Sequence, residues 1–183
     1  MAFAAGFADG FALLTVLTAG AGTATGEGTD TVTGIENIIG SGFDDILTGD
    51  INANRLDGGA GYDTLDGGMG NDTIAGDAGN DTMTAGGGTN TVDYSGAASG
   101  GINLNLDTGT TAAGDGDLGT DTITDEFQNA IGSGFADIIL GTATANVIDG
   151  GGGNDTLTGG DGADELFGGE GNDGLNGGAG IDE

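Results

Sequence analysis

The chain has 183 residues, 45 of them Gly, with no Cys, Pro, His or Trp, and its 30 acidic residues against a single Arg give a formal net charge of −29. These numbers exclude disulfides and zinc–thiolate sites, imidazole bases and imidazole metal ligands, binding to nucleic acid or to an anionic membrane surface, and a collagen helix, which needs Pro and a three-residue Gly period. Carboxylate and backbone oxygen remain plentiful, and they are the ligand set of a hard divalent cation such as calcium.

In chain order, the first feature is the apolar stretch from Phe11 to Leu17. Ala19-Gly20-Ala21 follows it as a signal cleavage site would. No basic segment precedes it and Asp9 interrupts, so the stretch predicts a strand and not a signal peptide. It is also too short and Gly-rich to span a membrane. Asp30 follows, in Gly28-Thr29-Asp30-Thr31-Val32-Thr33.

From Gly40 a nine-residue beat begins, with units starting at Gly40, Gly49, Gly58, Gly67, Gly76 and Ala85. The sixth position reads Asp45, Asn54, Asp63, Asp72, Asp81, Asn90, and the eighth reads Leu47, Leu56, Leu65, Ile74, Met83, Val92. Ile102-Asn103-Leu104-Asn105-Leu106 then alternates apolar and polar, which predicts a strand whose counterpart lies near Leu13–Leu17. Asp115, Asp117 and Asp121 form a further loop rich in oxygen ligands, without the twelfth-position Glu of an EF-hand.

A second run starts at Gly132 and continues through Gly141, Gly150, Gly159, Gly168 and Gly177. Its sixth positions are Asp137, Asn146, Asp155, Asp164, Asp173 and Asp182, and its eighth are Ile139, Ile148, Leu157, Leu166 and Leu175. The segment around Asp121 repeats that around Asp30, and Gly132-Ser133-Gly134-Phe135 repeats Gly40-Ser41-Gly42-Phe43, at offsets of 91 and 92 residues. Two halves are therefore expected, 1–91 and 92–183, each a strand segment followed by a repeat run, 40–93 and 132–183.

Twelve nonads in two unbroken frames resemble the RTX (repeats-in-toxin) calcium-binding nonapeptide family, whose pattern is Gly-Gly-x-Gly-x-Asp-x-apolar-x. The resemblance implies an all-β fold, a parallel β-roll in which two nonads make one turn. The residues fit such a roll. Glycines at positions one, two and four allow tight loops with positive φ, and a Thr-apolar-x tripeptide suits a short strand with its middle residue inward. Equivalent residues 18 apart then stack, as Asp45–Asp63–Asp81 and Asn54–Asp72–Asn90, and later as Asp137–Asp155–Asp173 and Asn146–Asp164–Asp182.

In the family each calcium ion lies between the loops of stacked turns. By resemblance the ligands here are these sixth-position residues, with loop carbonyls of Gly58, Ala60, Gly67, Met69, Gly76, Ala78, Gly150, Gly152, Gly159, Asp161, Gly168 and Glu170. Loops from Gly49 and Gly141 lack the double Gly. One large apolar side chain per nonad does not offset the entropy of ordering nine Gly-rich residues, and stacked carboxylates repel. The metal-free array is expected to be largely unfolded, with folding and binding one equilibrium.

The resemblance also implies an extracellular, secreted location, although no export signal of the family's C-terminal kind follows Glu183. Asp182-Glu183 stands where Asn90-Thr91 stands in the first half, and Met1-Ala2-Phe3 matches Val92-Asp93-Tyr94 in character. This predicts head-to-tail stacking of copies into a filament, an open heterologous contact. The expected function is a structural protein of a fibre, matrix or surface layer; the alternative is a module of a larger adhesin, toxin or enzyme. No enzyme is expected, because the carboxylates recur uniformly. No ice-binding face is expected, because the third positions Ala60, Met69, Ala78, Gly87, Gly152, Asp161, Glu170 and Ala179 contain no Thr. Arg55, beside Asn54, reads as a solvated strand-edge side chain, with a salt bridge to Asp57 or to a neighbouring filament as the other reading.

Overall fold

A computed structural model describes residues 22–25, 30–32, 36–106, 110–113, 118–125 and 127–183. In chain order its strands are β1 (Gly22–Thr25), β2 (Asp30–Val32), β3 (Asn37–Ile39), β4 (Ile46–Thr48), β5 (Arg55–Asp57), β6 (Thr64–Asp66), β7 (Thr73–Ala75), β8 (Thr82–Thr84), β9 (Thr91–Asp93), β10 (Ile102–Asn105), β11 (Thr110–Ala113), β12 (Thr122–Ile123), β13 (Asn129–Ile131), β14 (Ile138–Leu140), β15 (Val147–Asp149), β16 (Thr156–Gly162), β17 (Glu165–Phe167) and β18 (Gly174–Gly180). Most span three residues, because each nonad spends its other six on the loop. Phe11–Leu17, Asp115, Asp117 and Met1–Phe3 lie outside the described residues. Asp30 begins β2, opposite Ala24 of β1.

Within each repeat run consecutive strands alternate between two sheets, so the chain winds as a β-solenoid. A long sheet has eleven strands in the order β18-β16-β14-β10-β11-β12-β8-β6-β4-β1-β2, and a short sheet has seven, β17-β15-β13-β9-β7-β5-β3. Within each run the pairs are parallel and 18 residues apart: Leu47 faces Leu65, which faces Met83, and Leu56 faces Ile74, which faces Val92. Two nonads per turn is therefore the register of the molecule.

The eighth-position residues Leu47, Leu56, Leu65, Ile74, Met83, Val92, Ile139, Ile148 and Leu157 are fully buried between the sheets, while Leu175 in the last coil is 49% exposed. The flanking residues of each tripeptide point outward, as the two-residue period of a strand requires.

Between the runs the two sheets behave differently. The short sheet passes straight from β9 to β13, in parallel, with Val92 against Ala130. The long sheet inserts three strands there: β12 is parallel to β8 (Met83 against Ile123), β11 is antiparallel to both β12 and β10, and β10 is parallel to β14 (Leu104 against Ile139). The alternating Ile102–Leu106 segment thus supplies β10, with Ile102, Leu104 and Leu106 buried.

The loops are tight enough to specify glycine. Gly153 has φ 129°, and a Cβ there would collide with the backbone of Phe135 and Ala136 in the preceding coil, whereas Gly134 faces open space. Gly153→Ala is expected to destabilise the calcium-loaded protein by more than about 1 kcal/mol, and Gly134→Ala by less than about half of that. Urea unfolding of the two variants in millimolar calcium checks this.

Candidate metal centre

Each nonad presents one sixth-position side chain, just before its strand where a strand follows. Asp45, Asp63, Asp81, Asp137, Asp155 and Asp173 precede long-sheet strands. Asn54, Asp72, Asn90, Asn146 and Asp164 precede short-sheet strands, and Asp182 follows at the end of that second stack. Except for Asp173 and Asp182 in the last coil, all are buried, none more than 4% exposed.

Their two terminal atoms do different work. One oxygen is tied to the preceding coil. Asp63 Oδ1 accepts the Asp45 N–H at 2.7 Å, Asp81 Oδ1 accepts that of Asp63 at 2.8 Å, and Asp72 Oδ1 accepts that of Asn54 at 2.8 Å. The second run repeats this, with Asp155 on Asp137 at 2.9 Å, Asp173 on Asp155 at 3.0 Å, Asp164 on Asn146 at 2.9 Å and Asp182 on Asp164 at 3.2 Å. These are charge-assisted bonds linking coil to coil.

The other oxygen, Oδ2, is buried without a partner in Asp63, Asp72, Asp81, Asp155 and Asp164; in Asp45 it accepts the Ser41 N–H and hydroxyl at 2.7 and 2.9 Å, and in Asn54 the loop-facing Oδ1 accepts the Asp50 N–H at 2.8 Å. A buried acceptor without a donor is costly; a row of them on one structural position calls for a cation.

The surroundings fit one. A Cβ built on Gly58 would lie 2.5 Å from Asp63 Oδ2 and 2.9 Å from the Gly76 carbonyl oxygen of the next coil. On Gly67 it would lie 2.6 Å from Asp72 Oδ2 and 2.7 Å from the Ala85 carbonyl, and on Gly150 2.5 Å from Asp155 Oδ2 and 2.9 Å from the Gly168 carbonyl. Carboxylate and carbonyl oxygens from successive coils therefore converge on a spot that only Gly leaves open. Third-position carbonyls are engaged in part: those of Ala78 and Glu170 accept the N–H of Gly61 and Gly153, at 2.9 and 2.7 Å. Among the described residues no three carboxylates gather at one point, so such a site draws on backbone oxygens, as hard cations accept.

Burial pushes the Asp63 and Asp72 carboxyls up to about 6 and that of Asp81 to about 7. Asp155 is raised as well, for the same reason. The bonds from the preceding coil's N–H oppose the shift, and neighbouring carboxylates add to it.

Several features of this row lie outside the Gly-led pattern. Glu36 occupies the sixth slot one coil before Asn54, and Gln128 the same slot one coil before Asn146. Gln128 Oε1 accepts the Asn90 N–H at 2.8 Å, as an Asp would. Asp121 fills the slot after Asp81, whose N–H it accepts at 2.9 Å, and its other oxygen receives the Tyr94 hydroxyl at 2.8 Å. Ser41 caps Asp45, and Ser133 caps Asp137. Arg55 pairs at 2.8 Å with Asp93, two coils along the short sheet, and not with Asp57. The intervening strand carries the small Ala75 between Asp57 and Asp93, which leaves room for the guanidinium to reach across. Burial alone would raise Asp93, but hydrogen bonds from Ser95 and Arg55 hold it below the ordinary carboxylate range.

The RTX calcium-binding nonapeptide repeat matches the chain in four copies, over residues 25–65, 66–97, 131–166 and 149–183. Those segments take in more than half of the chain, which belongs to this family of calcium-binding repeats. No curated protein matches the chain as a relative.

Two outcomes follow from the site. Asp72→Asn keeps the acceptor for the Asn54 N–H but removes the charge, and is expected to weaken calcium binding at that stack roughly tenfold; exposed Glu165→Gln serves as the unaffected control in calorimetric titrations. The pH dependence has a fixed sign. Because these carboxyls bind protons more tightly folded than unfolded, the metal-free fold gains stability as pH falls from 7 toward 4 and loses it as pH rises. Calcium needs the deprotonated form, so from an unfolded metal-free roll, whose carboxyls titrate at about 4, binding at pH 7 should release almost no protons and lose affinity only as pH approaches about 5, whereas a roll already folded without metal would release protons between pH 7 and 6. Titrations in buffers of different ionisation enthalpy measure that release.

Proposed function

We propose that this chain is a non-enzymatic, secreted structural protein that folds when it meets extracellular calcium and then stacks head to tail into a filament, matrix or surface layer. The observation that carries the calcium step is the row of buried, unpartnered carboxylate oxygens on successive coils. The ions would be held by Asp63, Asp72, Asp81, Asp155 and Asp164, with Asp173 and Asp182 completing the stacks, and by first-position carbonyls of the adjoining coil. Calcium would supply the positive charge that these oxygens lack from any protein donor. A chain of charge −29 stays soluble and expanded where calcium is scarce, which suits export before folding.

Stacking is supported by the junction already inside the molecule. There β12 adds to the edge of β8 and covers Met83. By the internal duplication β18 corresponds to β8 and β2 to β12. Among the described residues β18 and β2 are the two end strands of the long sheet, and Leu175, the counterpart of Met83, is half exposed. A second copy's β2 would cover Leu175 as Ile123 covers Met83. The uniform recurrence of the carboxylates, with no distinct pair set apart, supports a non-enzymatic role.

The repeats support a second reading, a calcium-folded module of a larger adhesin, toxin or enzyme. Electron microscopy separates the two. In millimolar calcium the stacking reading expects filaments that dissolve in EGTA, and Leu175→Asp should abolish filaments while the protein still binds calcium. Monomers alone at millimolar calcium would overturn stacking and leave the module.

A further inference from the structure

The unpartnered oxygens are not spread evenly. The unmet Oδ2 atoms occur at Asp63, Asp72 and Asp81, then at Asp155 and Asp164; in the first coil Ser41 meets that of Asp45, and the Asp50 N–H meets Asn54 Oδ1. Between them, from Asn90 to Asn146, the side chains in the same slot have their oxygens met by donors of the protein. Asp121 accepts from the Asp81 N–H and the Tyr94 hydroxyl, at 2.9 and 2.8 Å. Asp137 accepts from the Ile102 N–H at 2.8 Å and from the Ser133 N–H and hydroxyl at 2.6 and 2.8 Å. Gln128 accepts from the Asn90 N–H at 2.8 Å, and Asn146 from the Thr142 N–H at 2.8 Å.

On the short-sheet edge the three consecutive slots Asn90, Gln128 and Asn146 are neutral amides. Asn90 Oδ1 is committed to the Asp72 N–H at 2.8 Å, so its remaining buried atom, Nδ2, is a donor that repels a cation. The backbone carbonyl of Gln128 is likewise taken, by Asn146 Nδ2 at 2.6 Å.

The core differs as well. Eight buried apolar residues fall in the 37 positions from Tyr94 to Ala130, with Phe127, Leu104 and Leu106 at 1% exposure or less, whereas the first roll has eight in the 54 positions of 40–93, two of them the small Ala75 and Ala85. The β10–β11 pair is antiparallel and close in sequence, and such local contacts carry a small loop-closure cost.

We infer that the junction from β9 to β13 is a calcium-independent nucleus, and that calcium zips the two rolls outward from it in opposite directions. The flanks combine a thin core with unmet carboxylates and need metal; the junction has a denser core and met carboxylates, and needs none. This rests on the reading of the flanking stacks as calcium sites, and narrows the expectation of a largely unfolded metal-free array to its flanks.

Hydrogen exchange of the full chain at neutral pH, read by peptide in EGTA and in millimolar calcium, tests it. In EGTA the amides of β9, β10, β11, β12 and β13 are expected to exchange about tenfold or more slowly than when unfolded, while those of β4–β8 and β16–β17 exchange unprotected; calcium then protects all of them. Equal lack of protection in EGTA, with calcium protecting everything, overturns the nucleus alone. Flanks already protected in EGTA and unchanged by calcium overturn the calcium reading itself. Phe127→Ala should erase the junction's protection in EGTA, and Leu65→Ala, in a flank, should leave it. An unchanged Phe127→Ala or an erased Leu65→Ala contradicts the inference.

Discussion

The structure depends on a carboxylate held with one oxygen satisfied and the other not. In each of the rolls the sixth-position Asp reaches to the backbone of the coil before it and fixes the register of the two. The same burial strips water from its second oxygen. A side chain that joins coils in this way also makes the joined state electrostatically expensive, and the expense recurs every 18 residues. Nothing with positive charge in the sequence offsets it: the single Arg is spent on Asp93, at the outer face of the short sheet.

Glycine completes the arrangement by what it leaves out. First-position glycines put no Cβ between the unmet oxygen and the next coil's carbonyl. The loops are thus built to hold an object larger than a hydrogen bond and smaller than a methylene side chain, with oxygens on both sides. A divalent cation answers all three requirements at once: it fills the gap, it meets the orphaned acceptors, and it turns repulsion between stacked carboxylates into a shared attraction.

The regular part of this was legible in the sequence because period and chemistry coincide. Residues 18 apart had to be neighbours once Leu47, Leu65 and Met83 were placed on one inner face, and the stacks of Asp residues followed. Which oxygen of Asp63 faces which coil was not legible, since spacing identifies neighbours and not orientations. Gln128 and Glu36 escaped notice because no Gly-led unit introduces them, although each lies 18 residues before an Asn of the pattern. β11, Thr110–Ala113, has no apolar alternation to mark it. The Tyr94–Asp121 contact joins residues with no periodic relation in sequence, and the Arg55–Asp93 pair spans two coils on one sheet face, past the small Ala75.

At neutral pH the rolls cannot hold their shape until cations reach the unmet carboxylates. Far-UV circular dichroism of one sample, recorded in EGTA, after addition of millimolar calcium and again after excess EGTA, tests it most directly. The account predicts a spectrum dominated by unordered chain that converts to β-structure with calcium and reverts on its removal. A β-rich spectrum in EGTA that calcium leaves unchanged would contradict it.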